Sequence, residues 1–396
     1  MPSVVSRRLL VVSNIPTPYR HHFFEVLGEE LRRRGGDLYV LFAAHQEPGR
    51  HWDPPIGGQF YEARVLPGLT VHPFGTHTHL NPAASRSVTQ YNPSWVLTAG
   101  SWHAPSTLAV LARSRRSGVP CLFWSEGHHD AVLHPRGWVP ALRHQAYRRF
   151  DGFAVPNERS GRFALFNARR NVPVLRLPNV VDDDFWGASP PGDKARARAK
   201  AGLDEVRTVV TVAALEPRKR VIQTIEAFLS LTDEEQARLQ LLIAGAGSQD
   251  AEAAALAAGH QHIRLLGQLG QGEVRNLYWA SDAFLLASSY DPNPLSMIEA
   301  AFAGCVLMAT RSVGNSDELV EPATPFAIDD QRADVVEGIA AALRAVADAP
   351  AGRMAQLQQR QADRVHRGWR SRAVAARFAD DLEGHFPAPD HFLDSR

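Results

Sequence analysis

The sequence predicts an α/β protein of two domains, each a doubly wound parallel sheet covered by helices on both faces. Three observations carry this. Short apolar runs without alternation recur along the chain, among them Leu9 to Val12, Leu38 to Phe42, Trp95 to Ala99, Thr208 to Ala213, Leu241 to Ala244 and Ala283 to Ala287, the pattern of strands buried on both faces. Most are followed by a loop and then by apolar residues at helical spacing. The chain has 396 residues and 44% hydrophobic content, enough for two domains of ordinary size, each with its own core.

The totals exclude several function classes. A net charge of +1 demands no strongly charged partner, so nucleic acid is not expected. Nearly all basic residues are arginine; the lysines are Lys194, Lys200 and Lys219, which makes Lys219 stand out. Cys121 and Cys305 flank expected strands in separate domains, so a disulfide framework is not expected and a reducing cytoplasm fits. No apolar stretch approaches the length that spans a bilayer, and Arg7-Arg8 before the short Leu9 to Val12 run lacks the apolar core of a signal peptide. A soluble, cytoplasmic protein is expected.

In the first domain, Leu9 to Val12 is the opening strand and Ser13 to Thr17 the loop at its carboxyl end. A helix runs from about Pro18 to Arg34, with Phe23, Phe24, Leu27 and Leu31 on one face and Gly35-Gly36 as its stop. No G-x-G-x-x-G follows the first strand, which counts against a nicotinamide enzyme. Residues 45 to 82, rich in Pro, Gly, His and aromatics, read as a long ordered functional loop. His72, His77 and His79 there have no Cys or acidic partner at ligand spacing, so no metal is expected. Trp95 to Ala99 ends in Gly100-Ser101-Trp102-His103 and is followed by a helix from Pro105 to Arg116. Val119 to Trp124 ends in Ser125-Glu126-Gly127-His128-His129-Asp130, so both loops fall on one carboxyl edge. Phe153 to Pro156 and Val174 to Leu177 are the last strands, and Pro190-Pro191-Gly192 marks a composition break.

The second domain opens with the strand Thr208 to Ala213, then Ala214 to Arg220, then a helix from Val221 to Leu229. A lysine at the start of a helix after a strand can meet a diphosphate as a point charge, backed by the helix dipole; a solvated turn is the plain alternative for Arg218-Lys219-Arg220. Leu241 to Gly247 and Ile263 to Gly267 are strands ending in glycine turns, and a helix from Gly272 to Trp279 leads into Ala283 to Ala287. Pro292 and Pro294 hold off the next helix until about Pro294. Leu295, Ile298 and Phe302 then recur at helical spacing as far as Gly304, before the strand Val306 to Ala309.

The loop Ser288 to Ser296 is the expected centre of the chemistry. It sits at the carboxyl edge of a parallel sheet, where such sheets bind ligands, and the helix beginning near Pro294, Leu295 and Ser296 offers free N–H groups to an anion. Helical side chains tilt toward the N-terminus, so Glu299 points back toward the loop that carries Asp291. A carboxylate between Ile298 and Ala300-Ala301 needs a partner if buried, and ribose hydroxyls are suitable donors. The alternative is a solvated glutamate on an amphipathic helix.

This acid pair, with Ala300 to Gly304 and the Gly314 to Leu319 segment, resembles the E-x7-E signature of retaining GT-B glycosyltransferases of family four. Asp291 stands for the first glutamate, Glu299 for the second, and Asn293-Pro294 replaces the commoner Phe-Gly. Ala213 to Arg220 resembles the family's phosphate-binding G-R-x-x-x-x-K-G, with Lys219 retained, Ala213-Ala214 in place of Gly-Arg, and Arg220 in place of the closing glycine. Arg218 or Arg220 would have to stand in for the missing arginine.

The resemblance implies a GT-B fold, two Rossmann-like domains facing across a cleft: residues 1–183 bind acceptor, 184–375 bind the nucleotide sugar, and 376–396 are a C-terminal helix and tail returning to the first domain. It implies that Glu299 holds the ribose, that Asp291 contacts sugar hydroxyls, and that the turns at Gly245 and Gly267 hold the base through backbone groups. It places His103 first against the transferred sugar, with Glu126 and His128 behind it, and brings Asn14 to Arg20, including Tyr19, to the acceptor cleft; residues 45 to 82 would be an acceptor wall. The implied activity is transfer of a hexose from a nucleotide diphosphate sugar, UDP-sugar favoured over GDP-sugar, to an acceptor hydroxyl with retention, needing no cofactor and no metal. A small natural-product or aminocyclitol core is the preferred acceptor, a glycan or glycolipid the alternative. Arg32-Arg33-Arg34 would suit weak peripheral contact with anionic lipid, and equally suits a helix C-terminus. A nucleotide-sugar 2-epimerase and an inactive GT-B binding protein are the other readings; the oligomeric state is not legible.

Overall fold

The apolar runs are parallel strands. The computed structural model describes residues 7–47, 54–71, 78–129, 137–187, 193–203, 206–331 and 334–387; His72, His77, Asp130 and Pro190-Pro191-Gly192 lie outside these. The chain divides into two compact units, one of residues 1–180 with 371–396, the other of residues 181–370.

In the first unit the strands are β1 (Arg7–Ser13), β2 (Gly36–Phe42), β3 (Glu62–Val65), β4 (Leu69–Val71), β5 (Thr78–Leu80), β6 (Trp95–Ala99), β7 (Cys121–Trp124), β8 (Gly152–Val155) and β9 (Val174–Arg176). Seven form one parallel sheet in the order β3-β2-β1-β6-β7-β8-β9, and β4 and β5 pair antiparallel apart from it. Strand β1 explains the two-sided burial. Leu9 and Val11 pack into a core with Phe23, Phe24 and Leu27 of helix Pro18–Arg33, while Leu10 and Val12 pack into another with Val110 and Leu111 of helix Pro105–Arg116. Thr17 caps the first of these helices by accepting from the Arg20 amide at 3.3 Å.

The chain returns to this unit through helix Ser371–His385, which follows a break at Arg370 after helix Ala351–Trp369. Val374, Phe378 and Leu382 enter the core beside Leu27 and Leu31, and Arg34 pairs with Asp380 at 2.6 Å. The Trp95 indole donates to the Phe386 carbonyl at 2.7 Å.

The described part of residues 45 to 82 holds the strands β3, β4 and β5. Residues Glu62–Val65 form the edge strand β3, in parallel register with Tyr39–Phe42. Its alternating, half-exposed pattern is that of an edge strand and gives no apolar run.

The second unit holds β10 (Arg207–Val212), β11 (Leu239–Ala244), β12 (Ile263–Gly267), β13 (Ala283–Leu286), β14 (Val306–Thr310) and β15 (Ala327–Ile328), parallel in the order β12-β11-β10-β13-β14-β15. Its core joins Val209, Leu241 and Phe284 of the sheet with Ile225, Phe302 and Leu343 of the helices. Both cysteines are buried and free, one in each unit. Both sheets are doubly wound: β1 lies between β2 and β6, and β10 between β11 and β13. At these two positions the loops leaving adjacent strands part in opposite directions, opening a crevice at the carboxyl edge.

Candidate active site

The crevice of the second unit lies between the loop after β10 and the loop after β13. Residues Pro217–Lys219 form one 3₁₀ turn, Arg220 takes the left-handed conformation (φ +53°), and helix Val221–Leu229 begins at once. A left-handed residue is where glycine is cheapest; a Cβ there costs roughly 1 kcal/mol. Arg220 is held there by an ion pair with buried Asp330 at 2.6 Å. Its charge is therefore engaged away from Asp291.

The β13 loop is stitched onto this turn. The Ser289 amide donates to the Arg218 carbonyl at 2.8 Å and the Ser289 hydroxyl to the same oxygen at 3.2 Å. The Gly314 amide donates to the Asp291 carbonyl at 2.8 Å. So held, Asp291 meets the Lys219 ammonium, which donates to its Oδ2; both side chains are largely buried. Arg218 is half-exposed, with Nη1 3.9 Å from the same Asp291 oxygen and Nε 3.3 Å from Glu216.

Helix Leu295–Phe302 starts beside this pair. Pro294 is its N-cap in extended conformation and makes no side-chain cap, which leaves the amides of Leu295 and Ser296 uncapped by it. Asn293 is buried. It accepts from Asn315 Nδ2 at 3.3 Å, and its own Nδ2 has no partner among the described residues. One turn into the helix, Glu299 is half-buried, and the Tyr278 phenol donates to its Oε2 at 3.4 Å. Burial raises the Glu299 pKa to about 7, with the Tyr278 hydrogen bond opposing the rise.

The two glycine turns adjoin. The Gly245 amide donates to the Gly267 carbonyl at 2.8 Å. Gly245 has φ +140°, and a Cβ there would lie 1.9 Å from the Ala213 carbonyl oxygen; Gly267 has φ +65° and open space around it. The close approach at Gly245 brings backbone, rather than side chains, to this part of the edge.

In the first unit the crevice between β1 and β6 is a polar recess of about 230 Å³, lined by Asn14, Tyr19, Arg20, Gly100, Trp124 and Glu126 among others. The Arg20 guanidinium lies 3.5 Å from the Trp124 ring centroid and 3.6 Å from Glu126, which also accepts from Asn179 Nδ2 at 3.1 Å. Gly100 (φ +103°) lets the Asn14 side chain pass where a Cβ would strike its Oδ1 at 2.1 Å. Four of the expected residues, Asn14, Tyr19, Arg20 and Glu126, are thus brought together. His128 is buried and does not line the recess. His103 stands beside Trp102, ring centroids 5.1 Å apart, on the wall of a different, apolar pocket; partial burial lowers its pKa. His79 bonds Glu47 at 3.0 Å and Thr70 at 2.9 Å, an acidic partner that sequence spacing did not reveal. Among the described residues no three His, Cys, Asp or Glu side chains gather as a metal site would.

Sequence reasoning missed Tyr278, Trp124, Asn315 and Asp330. Tyr278 reads as core, Trp124 as the end of a strand, and the partners of the other two are distant in sequence.

Residues 193–355 match the model of the family Glycosyl transferases group 1. No curated protein matches the chain in sequence. Among solved structures the chain is similar to Anabaena HepE in complex with UDP and glucose, at 15% identity over 96% of this chain and 100% of that one, with a TM-score of 0.69. A glycosyltransferase from Rickettsia africae gives 13% identity over 97% and 100%, TM-score 0.73. Sucrose-phosphate synthase from Thermosynechococcus elongatus gives 15% over 97% and 100%, TM-score 0.70. The fold is that of GT-B glycosyltransferases, with two Rossmann-like domains.

Proposed function

We propose that this chain is a retaining glycosyltransferase that moves a hexose from a UDP-sugar to an acceptor hydroxyl, with the donor on the second unit and the acceptor on the first. The observation that carries the reading is the meeting of Lys219 and Asp291 at the β10/β13 switch point, beside the start of the helix that bears Glu299, within the segment that matches the Glycosyl transferases group 1 model. The UDP and glucose of the HepE complex support UDP as the base-bearing part.

In this reading an arriving diphosphate takes over Lys219, and the amides of Leu295 and Ser296 face its oxygens. Asp291, released from the ammonium, accepts from hydroxyls of the sugar. Glu299 accepts from the ribose diol, and the backbone at Gly245 and Gly267 receives the base. The bond from the anomeric carbon to the phosphate oxygen breaks, the acceptor oxygen bonds the same face, and the acceptor proton passes to the departing phosphate. No residue serves as nucleophile, and neither cofactor nor metal is invoked. A cytoplasmic setting belongs to the same reading: both cysteines are free, and no described helix is long and apolar enough to cross a membrane.

Calorimetry with UDP and GDP, followed by proton NMR of the glycoside formed from UDP-glucose, tests it. UDP binding and an α-linked product are expected. Failure to bind UDP, or a β-linked product, overturns the reading.

A further inference from the structure

The apolar pocket of the first unit is unexplained by donor chemistry. It has a volume of about 660 Å³ and is lined by Trp102, His103, Leu108, Trp138, Leu142 and Arg149, with few other polar groups. Pockets for small organic ligands run from roughly 300 to 1,000 Å³ and share this pattern of apolar wall and sparse polar points. Its apolar side chains stay open to water: Trp138 is 68% exposed and Leu142 49%. Soluble chains seldom leave such surface contiguous without a use for it.

The walls are aromatic. The Arg143 guanidinium sits 5.8 Å from the centroid of the Trp102 ring and as far from that of Phe163, within cation–π range of both. Trp138, Leu142 and Gln145 follow one another along one face of helix Val139–Tyr147 and the residue before it. Two indoles give flat surfaces that suit planar rings better than a flexible chain. The polar lining is sparse: His103 in the loop after β6, Gln145, and Arg149, whose Nη1 donates to the Gln145 carbonyl. The same β6 loop contributes Gly100 to the polar recess and Trp102 and His103 to this pocket.

We infer that this pocket binds a planar, ring-bearing apolar aglycone, and that it is the acceptor's body whose hydroxylated end faces the Asn14, Arg20 and Glu126 recess. The inference rests on the glycosyltransferase reading for the word acceptor, but not for the binding itself. A polyhydroxylated core such as an aminocyclitol does not fit these walls, because its hydroxyls would lose water and gain no partners.

The test uses the full chain, calorimetry with 2-naphthol, myo-inositol and UDP, and sedimentation with phosphatidylglycerol vesicles. The variants are Leu142→Gln and Trp138→Ala, both on exposed positions. 2-Naphthol should bind the wild type and bind each variant about tenfold more weakly, the loss typical of a few removed apolar contacts; myo-inositol should show no pocket-dependent binding, and UDP affinity should not change. Naphthol affinity that is absent or indifferent to both variants overturns the inference, as does an effect of the variants on vesicle sedimentation alone, which would make this a membrane contact. Failure of UDP to bind while naphthol binding follows the pocket variants would remove the donor reading and leave the aglycone site standing.

Discussion

Tyr278 donates its phenol hydrogen to Glu299 Oε2 across 3.4 Å, joining a buried phenol on helix Gln271–Ala280 to a half-buried carboxyl on helix Leu295–Phe302. Burial lifts the Glu299 carboxyl to about 7 and the Tyr278 phenol well above its ordinary range, the latter further through the nearby carboxylate. A carboxyl balanced between its two protonation states at neutral pH is one that a hydrogen-bond donor can tip.

The first prediction concerns pH. The folded pKa of Glu299 lies above its unfolded value of 4.5, so the folded state holds its proton more tightly. Stability is full below about pH 4.5 and falls as pH rises through about 7, by on the order of 3 kcal/mol in the limit of full ionisation. Glu299→Gln should flatten this part of the profile in thermal unfolding measured from pH 4.5 to 8. UDP binding has the opposite sign. If the ribose diol donates to the carboxylate, binding releases a proton and affinity rises toward pH 7. Calorimetry in buffers of different ionisation enthalpy should register the released proton in the wild type and not in Glu299→Gln.

The second concerns the ion pair. Lys219→Ala leaves the Asp291 carboxylate largely buried, with the half-exposed Arg218 3.9 Å away. It should lower stability by a few kcal/mol, because an unpaired charge is costly where solvent is scarce. Adding Asp291→Ala should restore most of that stability and none of the activity. Transfer from UDP-glucose should fall by about two to three orders of magnitude in each single variant, as when one charge-stabilising contact is removed. Recovery of activity in the double variant would contradict the roles assigned to both.

Much of this architecture is legible in the sequence. Strands such as Leu239–Ala244 and Ala283–Leu286 are buried on every residue, and that condition writes itself into the sequence as an apolar run. Helix Ala84–Tyr91 is not legible, because only Ala84, Ser87 and Val88 of it are buried and its serines and threonine carry no helical signal. The acid pair Asp291 and Glu299 was legible because one short loop and one helix turn carry both. The engagement of Arg220 by Asp330 was not, since 110 residues separate them and each alone reads as a surface charge. His103 and His128 illustrate the same limit: both follow strands on one carboxyl edge, yet one lines an apolar pocket and the other is buried.

The third prediction separates two glycines that the sequence presents alike. Gly245→Ala would place a Cβ against the Ala213 carbonyl in a backbone conformation that side chains rarely adopt, and should destabilise by on the order of 3 kcal/mol. Gly267→Ala meets nothing, and its left-handed φ should cost about 1 kcal/mol. Thermal midpoints of the two variants measured side by side check this. Equal shifts would show that the close approach at Gly245 relaxes freely.

The fourth prediction isolates the first unit. Arg20 is nine-tenths buried, stacked at 3.5 Å on Trp124, and its Nη1 has no hydrogen-bond partner among the described residues. Its stack and the Glu126 carboxylate fix the guanidinium at the mouth of the recess, which lysine cannot reproduce: an ammonium has neither the flat face nor the forked donors. Arg20→Lys should therefore leave UDP affinity and UDP-glucose hydrolysis at wild-type levels while raising the KM for the acceptor alone. Trp124→Leu should do the same through Arg20, so the two substitutions combined should cost little more than either one, the non-additivity expected of residues in contact. If both variants weaken UDP binding instead, the recess serves the donor and the division of labour between the two units is reversed.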